Sequence, residues 1–159
     1  MKTRVLDSWP IVEWIKGRQP ATDVVATLLA ESESGTARLF MSAMNVGEVY
    51  YCLRKQHSEK LAESWRELSR TLPATIETPT ADDIWDAALL KGQYPIAYAD
   101  AFATALALKH RCPLLTGDPE LRSIADLELD WIGRATSEVQ INRQLRRIGC
   151  GAFISVSTL

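Results

Sequence analysis

The run IAYADAFATALAL, residues 96–108, predicts a helix that is apolar on nearly every face. Such a helix sits inside a domain rather than on its surface. One carboxylate, Asp100, stands near its start between Ala99 and Ala101, and no Lys, Arg or His occurs between Ile96 and Leu108. Burying an isolated ionised carboxylate is costly unless hydrogen-bond donors or a cation meet it. Two readings are open. Asp100 is satisfied by the free backbone N–H groups of a helix start, or it ligates a metal. The second requires other acids to converge on it.

The chain on either side reads as alternating strands and helices. Short apolar strands are expected at residues 4–6, 37–41, 74–78, 113–116 and 127–132. Between them fall helices: Ser8 can cap the first, with Pro10 in its first turn, and others begin at Ala21, Ser42, Ser58 and Thr80. Thr80 and Asp83 stand at the offset of a capping box. The helix over residues 58–72 carries Leu61, Trp65, Leu68 and Leu72 on one stripe, which suits either ordinary core packing or a partner surface. This alternation with short loops specifies an α/β fold with a mainly parallel sheet. Beyond Gly133 the composition changes. Residues 1–133 read as one domain, and residues 134–159 as an extension formed by a helix and tail or by added sequence.

A chain of 159 residues, 47% hydrophobic, suits a single core. No apolar run approaches the ~20 residues of a membrane span, and Asp7 interrupts the N-terminus too early for a signal peptide. Cys52, Cys112 and Cys150 are odd in number and widely spaced, as free thiols in a reducing cytoplasm would be, and with His57 and His110 they make no zinc-ligand spacing. The net charge of −2 is not that of a basic nucleic-acid binder. Yet if four of the 20 acids surround a metal, the other 16 face 18 bases, and a polyanionic substrate is compatible with that balance.

In open parallel sheets, ligands sit beyond the carboxyl ends of the strands. Asp7 and Asp118 follow such ends directly, Glu48 lies in the helix after the second strand, and Asp100 opens the buried helix. Asp7 as a helix cap, Asp118 as a turn residue before Pro119, and Glu48 as an exposed helix residue are the plainer alternatives. Gathered on one rim, four carboxylates would raise one another's proton affinity. A hard divalent cation relieves that repulsion, and Mg²⁺ takes oxygen ligands shared with substrate phosphate. It would also aim a water in line at a phosphodiester. Ser8, Asn45 and Thr116 are placed to hydrogen-bond to such ligands.

Four segments, Val5-Leu6-Asp7-Ser8, Asn45-Val46-Gly47-Glu48, Tyr98-Ala99-Asp100-Ala101-Phe102-Ala103 and Leu115-Thr116-Gly117-Asp118, occur in the order of a PIN-domain ribonuclease. Over residues 1–132 the chain resembles that family, and within it the VapC-type toxins of prokaryotic toxin–antitoxin pairs. The resemblance implies a three-layer α/β/α fold around about five short strands. It implies Mg²⁺- or Mn²⁺-dependent endoribonuclease activity in the cytoplasm, with Asp7, Glu48, Asp100 and Asp118 as metal ligands and catalytic acids. Ser8, Asn45 and Thr116 match the supporting polar positions. The implied partners are RNA, a second copy in a homodimer, and a cognate antitoxin that wraps an apolar groove. Residues 43–55 and 58–72, with Trp65 and Leu68, are candidates for that groove, and Lys16, Arg18, Lys91 and Arg122 for substrate choice. The extension after Gly133 departs from the family pattern.

Other acid-based chemistries fit less well. A haloacid dehalogenase-type phosphatase needs a second Asp where Trp9 stands, and a phosphoacceptor receiver domain needs an acidic pair where Asp7-Ser8 stands. A non-catalytic PIN module, and a PIN nuclease of RNA processing without an antitoxin, remain as alternatives.

Overall fold

Five short strands and six helices alternate along the residues described in the computed structural model, 1–56 and 58–133. They run β1 (Lys2–Leu6), α1 (Ser8–Ile15), α2 (Ala21–Glu33), β2 (Ala37–Ser42), α3 (Ala43–Gln56), α4 (Glu59–Leu68), β3 (Thr75–Glu77), α5 (Ala81–Gln93), α6 (Tyr98–His110), β4 (Leu114–Thr116) and β5 (Leu129–Trp131), with a 3-10 turn at Pro119–Ser123. The strands form one sheet in the order β3-β2-β1-β4-β5, and every pairing is parallel. The expected three-layer α/β/α architecture with five strands is present.

Alternation along the strands builds the two interfaces of the sheet. Leu6, Leu39, Met41 and Leu115 enter a core shared with α1, α2, α3 and α4. Their neighbours Val5, Phe40 and Leu114 enter the opposite core, with α5 and α6. Both faces being covered explains why the strands read as continuous apolar runs. The all-round apolar α6 buries Ala101, Phe102, Ala103, Leu106 and Ala107.

Local capping departs from the sequence expectation at two places. Asp7, not Ser8, is the N-cap of α1, and its carboxylate accepts from the Ser8 N–H at 2.7 Å. The helix expected to reach Leu72 ends at Leu68. Pro73 disfavours helical geometry at Leu72, which nonetheless reaches the core from the following loop. The Thr80–Asp83 capping box forms as expected.

Trp65, one of the two side chains expected in an apolar partner groove, is instead 1% exposed, and its indole N–H donates to the Val46 carbonyl of α3 at 2.9 Å. The apolar stripe of α4 packs inward, and of the two groove candidates only Leu68 keeps an exposed face. Cys52 and Cys112 are unpaired, while Cys150, His57 and the whole of 134–159 lie outside the described residues. Among the described residues no helix is long and apolar enough to cross a membrane.

Truncating Trp65 to Ala removes the anchor between α3 and α4 and leaves a cavity. Urea denaturation is expected to show a loss of about 3–5 kcal/mol; a loss below about 1 kcal/mol would contradict this packing.

Candidate metal centre

The strand order places the site. The chain builds outward from β1 through β2 to β3, then returns across the sheet to lay β4 on the other flank of β1. Loops leaving β1 and β4 therefore part in opposite directions, and the crevice between them is the usual ligand position in open parallel sheets. Asp7 follows β1, and Thr116 closes β4 just before Asp118. The N-terminal parts of α3 and α6 bring in Glu48 and Asp100.

Each acid is held by a neutral donor. Asp7 is buried and accepts from the Thr116 hydroxyl at 2.7 Å as well as from the Ser8 N–H. That same Thr116 oxygen accepts from the Asp118 N–H at 3.0 Å, so one hydroxyl ties together the acids of two strands. Asp118 caps the 3-10 turn, accepting from the Glu120 N–H at 2.9 Å. Ala97 has no side chain able to cap α6, and Asp100 Oδ2 reaches back to the Ala97 N–H at 3.1 Å. Glu48 Oε1 accepts from the Tyr51 hydroxyl at 3.0 Å, whereas the buried Glu48 Oε2 has no hydrogen-bond partner among the described residues. The plainer readings of the aspartates as caps are thus true at one oxygen each and compatible with a second role.

Asn45 and Ser8 brace the helices that carry the acids. Asn45, fully buried, donates to the Ser8 hydroxyl at 3.0 Å and to the Ala99 carbonyl at 3.2 Å, which stitches α1, α3 and α6 together. The Ser8 hydroxyl donates back to the Asn45 carbonyl at 3.3 Å.

Carboxylate oxygens of Asp7, Glu48 and Asp100 all lie within 4.8 Å of one another, and those of Asp100, Asp118 and Glu120 do likewise. Asp100 belongs to both groups. The four expected acids therefore converge on Asp100, and Glu120 joins them; its signal, an acid two residues past Asp118 in a turn, is too common to single out from sequence. Burial, with the charges of Glu48 and Asp118, pushes the Asp7 carboxyl up to about 7 against the pull of its hydrogen bonds. Burial and the charges of Asp7, Asp118 and Glu48 push Asp100 up to about 8. The Tyr51 hydroxyl, through burial and its bond to Glu48, is pushed up to about 12.

A cleft of about 300 Å³ opens over these acids, walled by Trp9, Val12 and Glu13 of α1, by Lys16 just past its end, and by Cys52 of α3. Gly117 lies against the Trp9 ring, and a Cβ there would come within 2.3 Å of it, so a larger residue would have to displace the ring. Of the basic residues singled out from the sequence, Lys16 lines the cleft and pairs with Glu13 at 3.3 Å. Arg18 pairs with the same Glu13, Lys91 donates to the Ile96 carbonyl, and Arg122 stacks 3.8 Å from the Trp131 ring centre.

The residues present fit a hard divalent cation. The donors are all carboxylate oxygens, three of the acids offer oxygens within 4.8 Å of one another, and one of these acids has a buried oxygen with no partner among the described residues.

The PIN domain family matches residues 4–127 of the chain. Among solved structures, VapBC2 from Rickettsia felis bound to a promoter DNA fragment is similar with a TM-score of 0.62 and 16% identity, over 80% of this chain and 97% of its own. VapC20 from Mycobacterium tuberculosis, a toxin that cleaves the sarcin–ricin loop, gives 0.61 and 14% over 79% and 98%. DNA-bound VapBC from Salmonella typhimurium gives 0.63 and 12% over 82% and 98%. At these identities the likeness establishes a common fold. No curated protein matches the sequence.

The raised carboxyl pKa values have a consequence for stability. Unfolded, Asp7 and Asp100 ionise near 3.8; folded and metal-free, they hold protons up to about 7 and 8. The native state therefore binds more protons in this window, and stability falls as pH rises through it. In chelator, the melting temperature is expected to drop between pH 5 and pH 8.5, and Asp100→Asn is expected to flatten the slope. A melting temperature that climbs with pH over the same range would contradict the raised values.

Proposed function

Because the chain belongs to the PIN-domain family, we propose that it is a Mg²⁺- or Mn²⁺-dependent endoribonuclease, the cytoplasmic toxin of a VapBC-like pair neutralised by a cognate antitoxin. The observation that carries this reading is the meeting of Asp7, Glu48 and Asp100 within 4.8 Å on three separate elements, with Asp118 beside Asp100. A structural module has no use for such repulsion, whereas a cation site does.

On this reading Asp7, Glu48, Asp100 and Asp118 hold the metal, and Glu120 stands beside them. When bound, the cation lowers the pKa of a coordinated water and offsets charge on the phosphodiester oxygens. Thr116 orients Asp7 and the Asp118 backbone; Ser8 and Asn45 keep α1, α3 and α6 in register. Lys16, on the cleft wall, supplies positive charge beside the path of an RNA backbone. The antitoxin reading draws support from the VapBC complexes of similar fold.

The proposed homodimer has a surface suited to it. Ile84, Trp85 and Leu89 lie on one side of α5, with Trp85 73% exposed, and no α5 residue lines the cleft. Exposed apolar side chains clustered in this way mark interaction surfaces. Trp85→Asp is expected to shift the protein from dimer to monomer in sedimentation. A wild type already monomeric at micromolar concentration would remove the dimer from this reading.

The central test is cleavage of total cellular RNA by partner-free protein in Mg²⁺, Mn²⁺ or chelator. Discrete metal-dependent bands are expected, and Asp100→Asn is expected to reduce their formation on the order of 10³-fold or more, since metal stabilisation of the transition state amounts to several kcal/mol. Cleavage by the variant at the wild-type rate would overturn the assigned centre. Absence of cleavage, with Mn²⁺ binding intact, would favour a non-catalytic module or a PIN nuclease of much narrower substrate.

A further inference from the structure

The two buried aspartates sit where backbone donors are unused. Asp7 precedes α1 and Asp100 lies in the first turn of α6, so helix-start N–H groups at Ser8 and Ala97 are available to them. Glu48 has no such help. It is the sixth residue of α3, beyond the first turn, where N–H groups are engaged in the helix itself. Its orientation comes from side chains, and among the described residues the Tyr51 hydroxyl donates to it, 3.0 Å from Oε1. Tyr51 stands three residues on from Glu48, on the same helix face. Its ring is half exposed, so core packing does not account for its pose, and the Lys55 ammonium lies 6.0 Å from the ring centre, one turn further along.

We infer that Tyr51 is a positioning residue: by engaging Oε1 it holds Glu48 in the rotamer whose buried, unpartnered Oε2 faces a divalent cation between Asp7 and Asp100. The inference rests on the reading of these acids as a metal centre and adds a residue outside the acid motifs. Hydrogen bonds to ligating carboxylates fix ligand orientation, and their loss weakens metal affinity by about 10–100-fold. Tyr51→Phe deletes the hydroxyl and keeps the ring beneath Lys55.

The test is Mn²⁺ titration by calorimetry of the wild type, Tyr51→Phe, Glu48→Gln and the double variant, with melting in chelator as a check on the fold. Tyr51→Phe is expected to bind Mn²⁺ about tenfold or more weakly, with melting in chelator close to that of the wild type. Because Tyr51 acts through Glu48, the double variant is expected to bind no more weakly than Glu48→Gln alone. Affinity in Tyr51→Phe equal to the wild type would overturn the inference and leave the metal centre standing. Losses that add in the double variant would also overturn it, since Tyr51 would then act by another route. A wild type that binds no Mn²⁺ would overturn the metal reading and the inference together.

Discussion

Mutual repulsion among carboxylates is the constraint on which this structure turns. Oxygens of Asp7, Glu48 and Asp100 lie within 4.8 Å of one another. At an effective dielectric near 20, a pair of unit charges at that separation repels by about 3 kcal/mol. Two responses are open to the fold: keep protons on the buried members, or admit a cation. The first is visible in Asp7 and Asp100, which retain protons to about pH 7 and 8. The second needs only that a hard ion replace those protons, and the all-oxygen donor set suits it.

The parallel sheet is what makes such crowding possible. Its three innermost strands bury side chains on both faces, through Val5 and Leu6, Phe40 and Met41, Leu114 and Leu115. That framework forces the loops after β1 and β4 to open side by side where the strand order reverses. α6 then enters against the sheet with almost no polar surface of its own, so Asp100 arrives already desolvated. The Asn45–Ser8–Ala99 contacts lock three helices around the crevice, and Gly117 lets the Trp9 ring close against the β4 loop.

Much of this was legible in the sequence because it depends on local chemistry. Apolar runs broken by Asp7 and by Gly117-Asp118 marked strand ends, and the spacing of Thr80 and Asp83 marked a capping box that forms. The fold class followed from alternation, and the family from four short segments in order. Harder to read was anything decided across space. Trp65 falls on a stripe that ordinary core packing suits best and a partner surface also allows, and only the packing of α4 on α3 settles it. Glu120 and Tyr51 carry no motif; they matter because Asp100 and Glu48 happen to lie beside them. The assignment of Ser8 as a cap missed by one residue, since Asp7 caps α1 with an oxygen that also belongs to the acid cluster.

That double use of the aspartates explains how a repulsive cluster stays ordered. Among the described residues, neutral donors orient these acids: Ser8 N–H and Thr116 reach Asp7, Tyr51 reaches Glu48, and Ala97 N–H reaches Asp100. A neutral donor fixes the direction of a carboxylate while leaving its charge largely uncompensated. A Lys or Arg in the same place would fix direction and quench the charge as well, and the oxygens would then have less to offer a metal. On the metal reading, a cation that binds the folded arrangement of acids and not the unfolded chain would stabilise the fold. An arrangement that oriented the acids more cheaply, by pairing them, would be a firmer domain and a poorer metal site.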